Sequence, residues 1–308
     1  MTPRKTMLTR ILLTLTFGYS AASLATENGS PTTAMGLLDF GAGYLPPTTD
    51  NGTLGFRTAY YSTDAQKDND GNDTGNDFSL DVLSLSLAYI YMTDQKVLGA
   101  RYGFGAVAPF FKMDADLQVE RGGMTLFSDE ADVFELADIQ ILPMLLQWTP
   151  SPNLSIFAQL QIQTPTGDYD SERLVSPGLN RWAFTPQAAF TYVSEQGYEV
   201  SSSFQLDFNT RNKDTDYRSG TEYRHEFAVG KRVGPWTVGV GGYHYQQITD
   251  APGLEGGNRA SVVAAGPAIG FFDPGSSIPP IKLHAYKEFG AQNRTEGYNI
   301  ALTTSFSF

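Results

Sequence analysis

The sequence predicts an all-β protein, an antiparallel transmembrane β-barrel of about twelve strands. Three observations point there: an export signal at the start, apolar and polar residues alternating with period two, and connections that alternate between long and tight.

The first segment is for targeting rather than folding. Arg4, Lys5 and Arg10 form a basic start, residues 11–19 a short apolar stretch, and Ser23-Leu24-Ala25 the small-x-small pattern that signal peptidase accepts. The apolar stretch is too short to anchor the chain in a bilayer. Cleavage is expected after Ala25, leaving a mature chain that begins at Thr26. The segment holds three basic residues and no acidic one, so its removal takes the net charge from −12 to −15. So acidic a balance argues against nucleic acid as a partner, because phosphates need clustered Lys and Arg. It suits a surface where divalent cations are shared with anionic headgroups, with outer-membrane lipids and lipopolysaccharide as neighbours. With 0 cysteines the chain has no disulfides or thiol chemistry. After the signal no apolar run approaches the length of a membrane helix.

Period-two patterning lets a strand put one face in lipid and the other in a lumen. The last strand shows it best: Tyr298, Ile300, Leu302, Thr304, Phe306 and Phe308 share one side, Asn299, Ala301, Thr303, Ser305 and Ser307 the other. A closing strand with a terminal phenylalanine resembles the signal read by the barrel-assembly machinery during insertion. Leu83, Leu85, Leu87 and Tyr89 repeat the pattern, as do Leu154 to Ile162, Trp182 to Tyr192 and Tyr198 to Phe208. A soluble sandwich would need a second sheet to cover such a face, whereas lipid covers it around a barrel.

The predicted strands are 54–62, 79–92, 99–111, 135–148, 154–164, 182–193, 198–209, 216–231, 236–248, 259–271, 281–291 and 297–308. In 135–148, Asp138 and Gln140 share a side with Leu142, Met144 and Trp148; in 236–248 the aromatic side switches. Counted from a periplasmic N-terminus, odd-numbered connections should be extracellular and long, even-numbered ones short. The connections 63–78, 112–134 and 165–181 are longer than any even one. Four of the five even ones are tight, broken by Pro150, Pro152, Gly197, Gly234 and Pro235.

Several stretches together resemble a known family. They are Leu38-Asp39-Phe40-Gly41-Ala42-Gly43-Tyr44-Leu45-Pro46-Pro47, Gly55-Phe56-Arg57-Thr58-Ala59-Tyr60-Tyr61, Leu136-Ala137-Asp138-Ile139, Thr164-Pro165-Thr166-Gly167-Asp168-Tyr169-Asp170, Asp214-Thr215-Asp216-Tyr217-Arg218-Ser219-Gly220, Tyr245-Gln246-Gln247-Ile248-Thr249-Asp250 and Lys287-Glu288-Phe289. In order along the mature chain, they are similar to the phenol meta-pathway degradation proteins, which include a sphingosine-induced porin. The resemblance implies an outer-membrane channel for uptake of hydrophobic or aromatic small molecules, phenol- or lipid-like, beside their catabolism. It implies no binding residue.

The residues themselves supply lumen candidates. If the apolar side faces lipid, then Arg57, Glu199, Asp207, Arg218, Glu222, Arg224, Glu226, Lys282 and Glu288 face inward. They are either cross-strand ion pairs that fill a narrow barrel or a charged constriction that small molecules pass. Twelve strands lie between the filled eight-stranded type and the open porins, so some plugging is expected. The segment 26–52, with Asp39, Phe40 and Tyr44, is the stretch left over to supply it, as a plug rather than a periplasmic tail. The domain plan is therefore signal peptide 1–25, N-terminal segment 26–52 and barrel 53–308, in the outer membrane of a Gram-negative cell.

Two other chemistries leave partial signals in the sequence. The run Asp68-Asn69-Asp70-Gly71-Asn72-Asp73 resembles the start of a calcium loop but lacks its closing glutamate, so residues 64–77 are expected to be a solvated acidic loop. A lipid-hydrolysing barrel would need a base among His225, His244 and His284, and His225 falls on the lipid-facing side, yet no serine signature flanks it. A purely structural barrel is the third alternative. No cofactor, metal or catalytic residue is assigned.

Overall fold

The computed structural model describes residues 25–252 and 258–308. The signal segment, Ala25 apart, lies outside the described residues.

A single 3-10 turn, Glu27–Gly29, precedes fifteen strands. They are β1 (Thr53–Thr63), β2 (Gln66–Lys67), β3 (Asp77–Val97), β4 (Ala100–Arg121), β5 (Met124–Leu136), β6 (Gln140–Ser151), β7 (Leu154–Gln163), β8 (Ala183–Val193), β9 (Tyr198–Asn209), β10 (Glu222–Val233), β11 (Trp236–Gln247), β12 (Ser261–Phe271), β13 (Ile281–Gln292), β14 (Arg294–Thr295) and β15 (Tyr298–Ser307). Every pairing in the main sheet is antiparallel, and β15 pairs with β1 to close it. The outer half of β4 pairs with β5 and the inner half with β6. These two strands therefore share one position in the wall, and the barrel has 12. Closure leaves no edge with unpaired backbone groups, which hydrocarbon would not tolerate.

The apolar side of the alternation is the outer surface. Phe56, Leu85, Leu87, Phe104, Phe184, Phe204, Val240, Ile300 and Leu302 all point outward and are exposed. Each such side chain covered by lipid contributes roughly 1.5–3 kcal/mol relative to water. At one end the strands join by tight turns. One is Leu98-Gly99, with φ of 52° and 77°, a backbone state that suits the tight reversal. The long connections crowd the other end, which in barrels of this kind is extracellular.

The structure corrects the sequence reading at several places. Residues 112–134 are not a loop: β4 and β5 continue past the barrel as a hairpin, reversed at Gly122-Gly123 with positive φ at both. Its base does alternate, but with the outer face acidic rather than apolar, as at the cross-strand neighbours Asp114 and Asp132, while Met113, Ala115, Ala131 and Val133 turn inward. Strand 135–148 is interrupted at 137–139, and register shifts follow. These turn Leu142 inward at 5% exposure and leave Met144 outward at 37%, so the mixed side seen in sequence is a real break. In β11 the aromatic switch needs no bulge: Trp236 points out, while Tyr243 and Tyr245 point into the lumen.

Arg218 is also corrected. The strand predicted to start at 216 begins at Glu222, and Arg218 sits exposed in the preceding loop. The cause is local packing. Gly220 lies so close to the Thr249 carbonyl that a Cβ would fall 1.9 Å from it, so the chain there packs against the neighbouring connection instead of extending the ladder.

Candidate channel lumen

Inward side chains of β1, β4, β6 to β10, β13 and β15 hold the N-terminal segment, which runs through the barrel from its long-loop end to its tight-turn end. At the long-loop end Glu27 forms an ion pair with buried Arg181 at 3.3 Å and accepts hydrogen bonds from Asn212 and Thr215. The Tyr217 hydroxyl donates to the Ala25 carbonyl at 2.9 Å, and burial pushes this phenol up to about 12.

Deeper in, the strand carboxylates accept from the segment's own amides. Thr32 N–H donates to Glu222 at 3.0 Å. Glu226 accepts from three successive amides, Gly36 at 2.8 Å, Leu37 at 3.1 Å and Leu38 at 2.6 Å. Gly41 N–H donates to Glu199 at 2.7 Å. The cations take the carbonyls: Arg224 donates to Thr33 and Ala34, Arg57 to Met35 and Gly36, and Lys282 to Phe40 at 3.0 Å. A strand laid in this lumen would otherwise carry buried, unpaired backbone groups, and the charged side chains remove that cost.

The charges also pair with one another. Arg224 lies 3.7 Å from Asp207, Arg232 is 3.1 Å from Glu199, and Arg294 is 3.4 Å from Glu288. Asp39 meets Lys282 at 3.6 Å and His284 Nδ1 at 3.1 Å. Of the lumen candidates read from the sequence, Arg57, Glu199, Asp207, Glu222, Arg224, Glu226, Lys282 and Glu288 all line the interior, and Arg218 does not. Asp39 and Phe40 are buried within the barrel, whereas Tyr44 is 44% exposed toward the tight-turn end.

Sequence reasoning missed Tyr243 and Tyr245, which donate to Glu288 and Glu222, and the lumen role of His284. Parity along β11 and β13 would have found them. Arg181 and Arg294 lie beyond any period-two stretch, so no sequence pattern marks them.

Gly43 is the tightest contact of the segment with the wall. A Cβ there would fall 2.4 Å from both the Ser155 carbonyl oxygen and the Thr191 amide nitrogen, backbone atoms that cannot swing aside. Gly43→Val is expected to lift the segment while sparing the barrel. A protease added to purified protein should then cut near residue 43 in the variant but not in the wild type, and an uncut variant would count against this.

The acidic loop is organised by Asp68, whose carboxylate accepts from the amides of Asp70 and Asn72, both at 2.9 Å. The Asn72 amide hydrogen bond is what holds this carboxyl below its usual range. Lys67 pairs with Asp73 at 2.7 Å. Among the described residues no cluster of three metal-ligating side chains occurs.

His225 does point outward, and it has a serine after all: Ser202, on the neighbouring strand, lies 2.8 Å from its Nε2. The ring stacks on its cross-strand neighbour Phe204 at 4.7 Å. In hydrocarbon the two polar groups satisfy each other.

A closed antiparallel barrel with an apolar exterior and a charged interior is an outer-membrane barrel, here with its own N-terminal segment strapped inside. The chain belongs to the family described as "Putative MetA-pathway of phenol degradation", whose model matches residues 63–304. Among solved structures, the COG4313 outer membrane channel from Pseudomonas putida F1 is similar in fold, with a TM-score of 0.73 at 16% identity, covering 88% of this chain and 100% of that one. The β domain of the Bordetella autotransporter BrkA gives 0.47 at 14% identity, covering 84% and 100%. A monoaromatic hydrocarbon channel, CymD, gives 0.44 at 10% identity, covering 84% and 89%. Comparison with curated protein sequences returned no match.

Proposed function

We propose that the protein is an outer-membrane uptake channel for uncharged hydrophobic or aromatic small molecules, with the N-terminal segment 26–52 as a fixed plug that narrows the lumen. The observation that carries this is an apolar inner wall at the long-loop end. There Leu80, Val82 and Phe111 stay partly exposed on the inner wall, backed by a buried cluster of Met113, Ala115, Ala131 and Val133 with Val175 from the overlying loop. A channel for sugars or ions gains nothing from such a mouth, whereas an apolar solute leaves water favourably there. The charged residues deeper in serve to hold the plug. Membership of the family supports the same reading.

In this account the signal peptide is removed after Ala25, β15 with Phe308 guides insertion by the barrel-assembly machinery, and the outer band meets lipids and lipopolysaccharide. The barrel conducts and does not catalyse.

Proteoliposomes test the reading. Phenol and short alkyl-phenols should enter well above the rate of protein-free vesicles, while neutral sugars should not. Equal entry of sugars would indicate a general pore, and no added entry of phenols would refute uptake.

A further inference from the structure

The interior is divided lengthwise. On β9 to β12 the inward side chains Ser203, Arg224, Tyr243 and Ala264 are all but fully buried beneath the N-terminal segment and its neighbours. The opposite wall differs. Gly55 on β1, Ala88 on β3 and Val107 on β4 stand side by side across the strands, with Arg57 and Ser86 at the next level, and all five are partly exposed. They face inward, because they share a side with Ala59, Ser84 and Met92, which are buried.

The inward side chains of β3 and β4 are apolar or small apart from Arg101, and on β1 Arg57 interrupts the wall. Toward the tight-turn end, Ile90, Val107 and the segment's Leu45 pack with Met92, Leu142 and Leu145. Toward the long-loop end the inner faces of β3 and β4 run into the apolar mouth. Leu37 of the segment is likewise only partly buried. The segment's charged fastenings at Glu199, Glu222, Arg224, Glu226 and Lys282 lie on the other half, while from the β1 and β4 side only the long side chains of Arg57 and Arg101 reach across to its carbonyls. The strap is therefore eccentric, tied to the charged half and leaving a crescent along β1, β3 and β4.

We propose that the solute path is this crescent, and that it takes a flat, uncharged, apolar molecule. The small side chains of Gly55, Ala88 and Ser86 set the wall back, Val107 and Ile90 supply apolar contact, and Arg57 is engaged by segment carbonyls. The charged half carries no solute. This rests on the uptake reading above.

The chain has 0 cysteines, so single thiols can map the path directly. Ala88→Cys and Val107→Cys lie in the crescent; Ser203→Cys and Ala264→Cys lie under the strap. Each would be placed in liposomes, checked for the heat-resistant gel mobility of a folded barrel, and treated with benzyl methanethiosulfonate, an apolar thiol reagent. The crescent thiols should react about tenfold faster or more, because a covered thiol reacts only through local opening. Their labelling should cut phenol entry by roughly half or more, since each adduct fills the path. Comparable rates at all four positions, or full crescent labelling with phenol entry unchanged, would overturn the assignment. Phenol entry into wild-type vesicles is measured before any reagent is added, so failure of the uptake reading is seen separately.

Discussion

Deletion of residues 26–45 is expected to convert the barrel into a general pore. The wall does not depend on that segment for closure: its ladder runs from β1 through β15 and back, and β1 starts at Thr53. The segment is held by side chains, so its loss removes contacts to Glu199, Glu222, Glu226, Arg224 and Lys282 without breaking a strand pairing. Those groups would then face water, which solvates them at little cost. Single-channel conductance should rise by roughly an order of magnitude, as for a twelve-stranded barrel cleared of its filling, and neutral sugars should now enter liposomes. Selectivity for apolar solutes should disappear at the same time. A deleted variant that folds yet still excludes sugars would mean that the wall itself, and not the strap, sets the bore.

Substitution of Glu226 should have the largest effect of any single lumen residue on how firmly the strap is held. Its carboxylate is the shared acceptor for the amides of Gly36, Leu37 and Leu38, three donors in one turn of chain. Hydrogen bonds to a charged group are worth about 1.5–3 kcal/mol each, and water entering the cavity recovers part of the loss. A net loss of about 3 kcal/mol for Glu226→Ala corresponds to roughly a hundredfold rise in the open population of the segment. Hydrogen exchange at the amides of residues 36–38 should speed up accordingly, while strand amides keep their protection. Glu226→Gln keeps one carbonyl acceptor and should fall between. Unchanged exchange in Glu226→Ala would show that other fastenings, such as Arg224 and Glu222, suffice alone.

Much of the wall was legible because the bilayer imposes a strict rule on it. Where one face meets lipid, the side chains must alternate, and β1, β7, β9, β13 and β15 match their predicted spans to within about two residues. Inward parity likewise placed Glu199, Asp207, Glu222, Arg224 and Glu226 in the lumen without any structure. The rule fails where lipid is absent. The β4–β5 hairpin stands above the membrane, its outer face there is acidic instead of apolar, and the residues read as loop. Arg218 was misplaced for the same reason, since the chain before Glu222 is shaped by the close packing of Gly220 and not by a lipid face.

Alternation, with the export signal and the connection lengths, thus determined that this chain is a membrane barrel, how many positions its wall has, and which charges within its strands turn inward. The tertiary structure alone decided what those charges bind. A carboxylate on a strand can pair with an arginine across the wall or with backbone amides far away in sequence, as Glu226 does with residues 190 positions distant. Period-two spacing carries no information about that choice, because it constrains only the direction of each side chain, and the partner is set by where an irregular segment comes to lie.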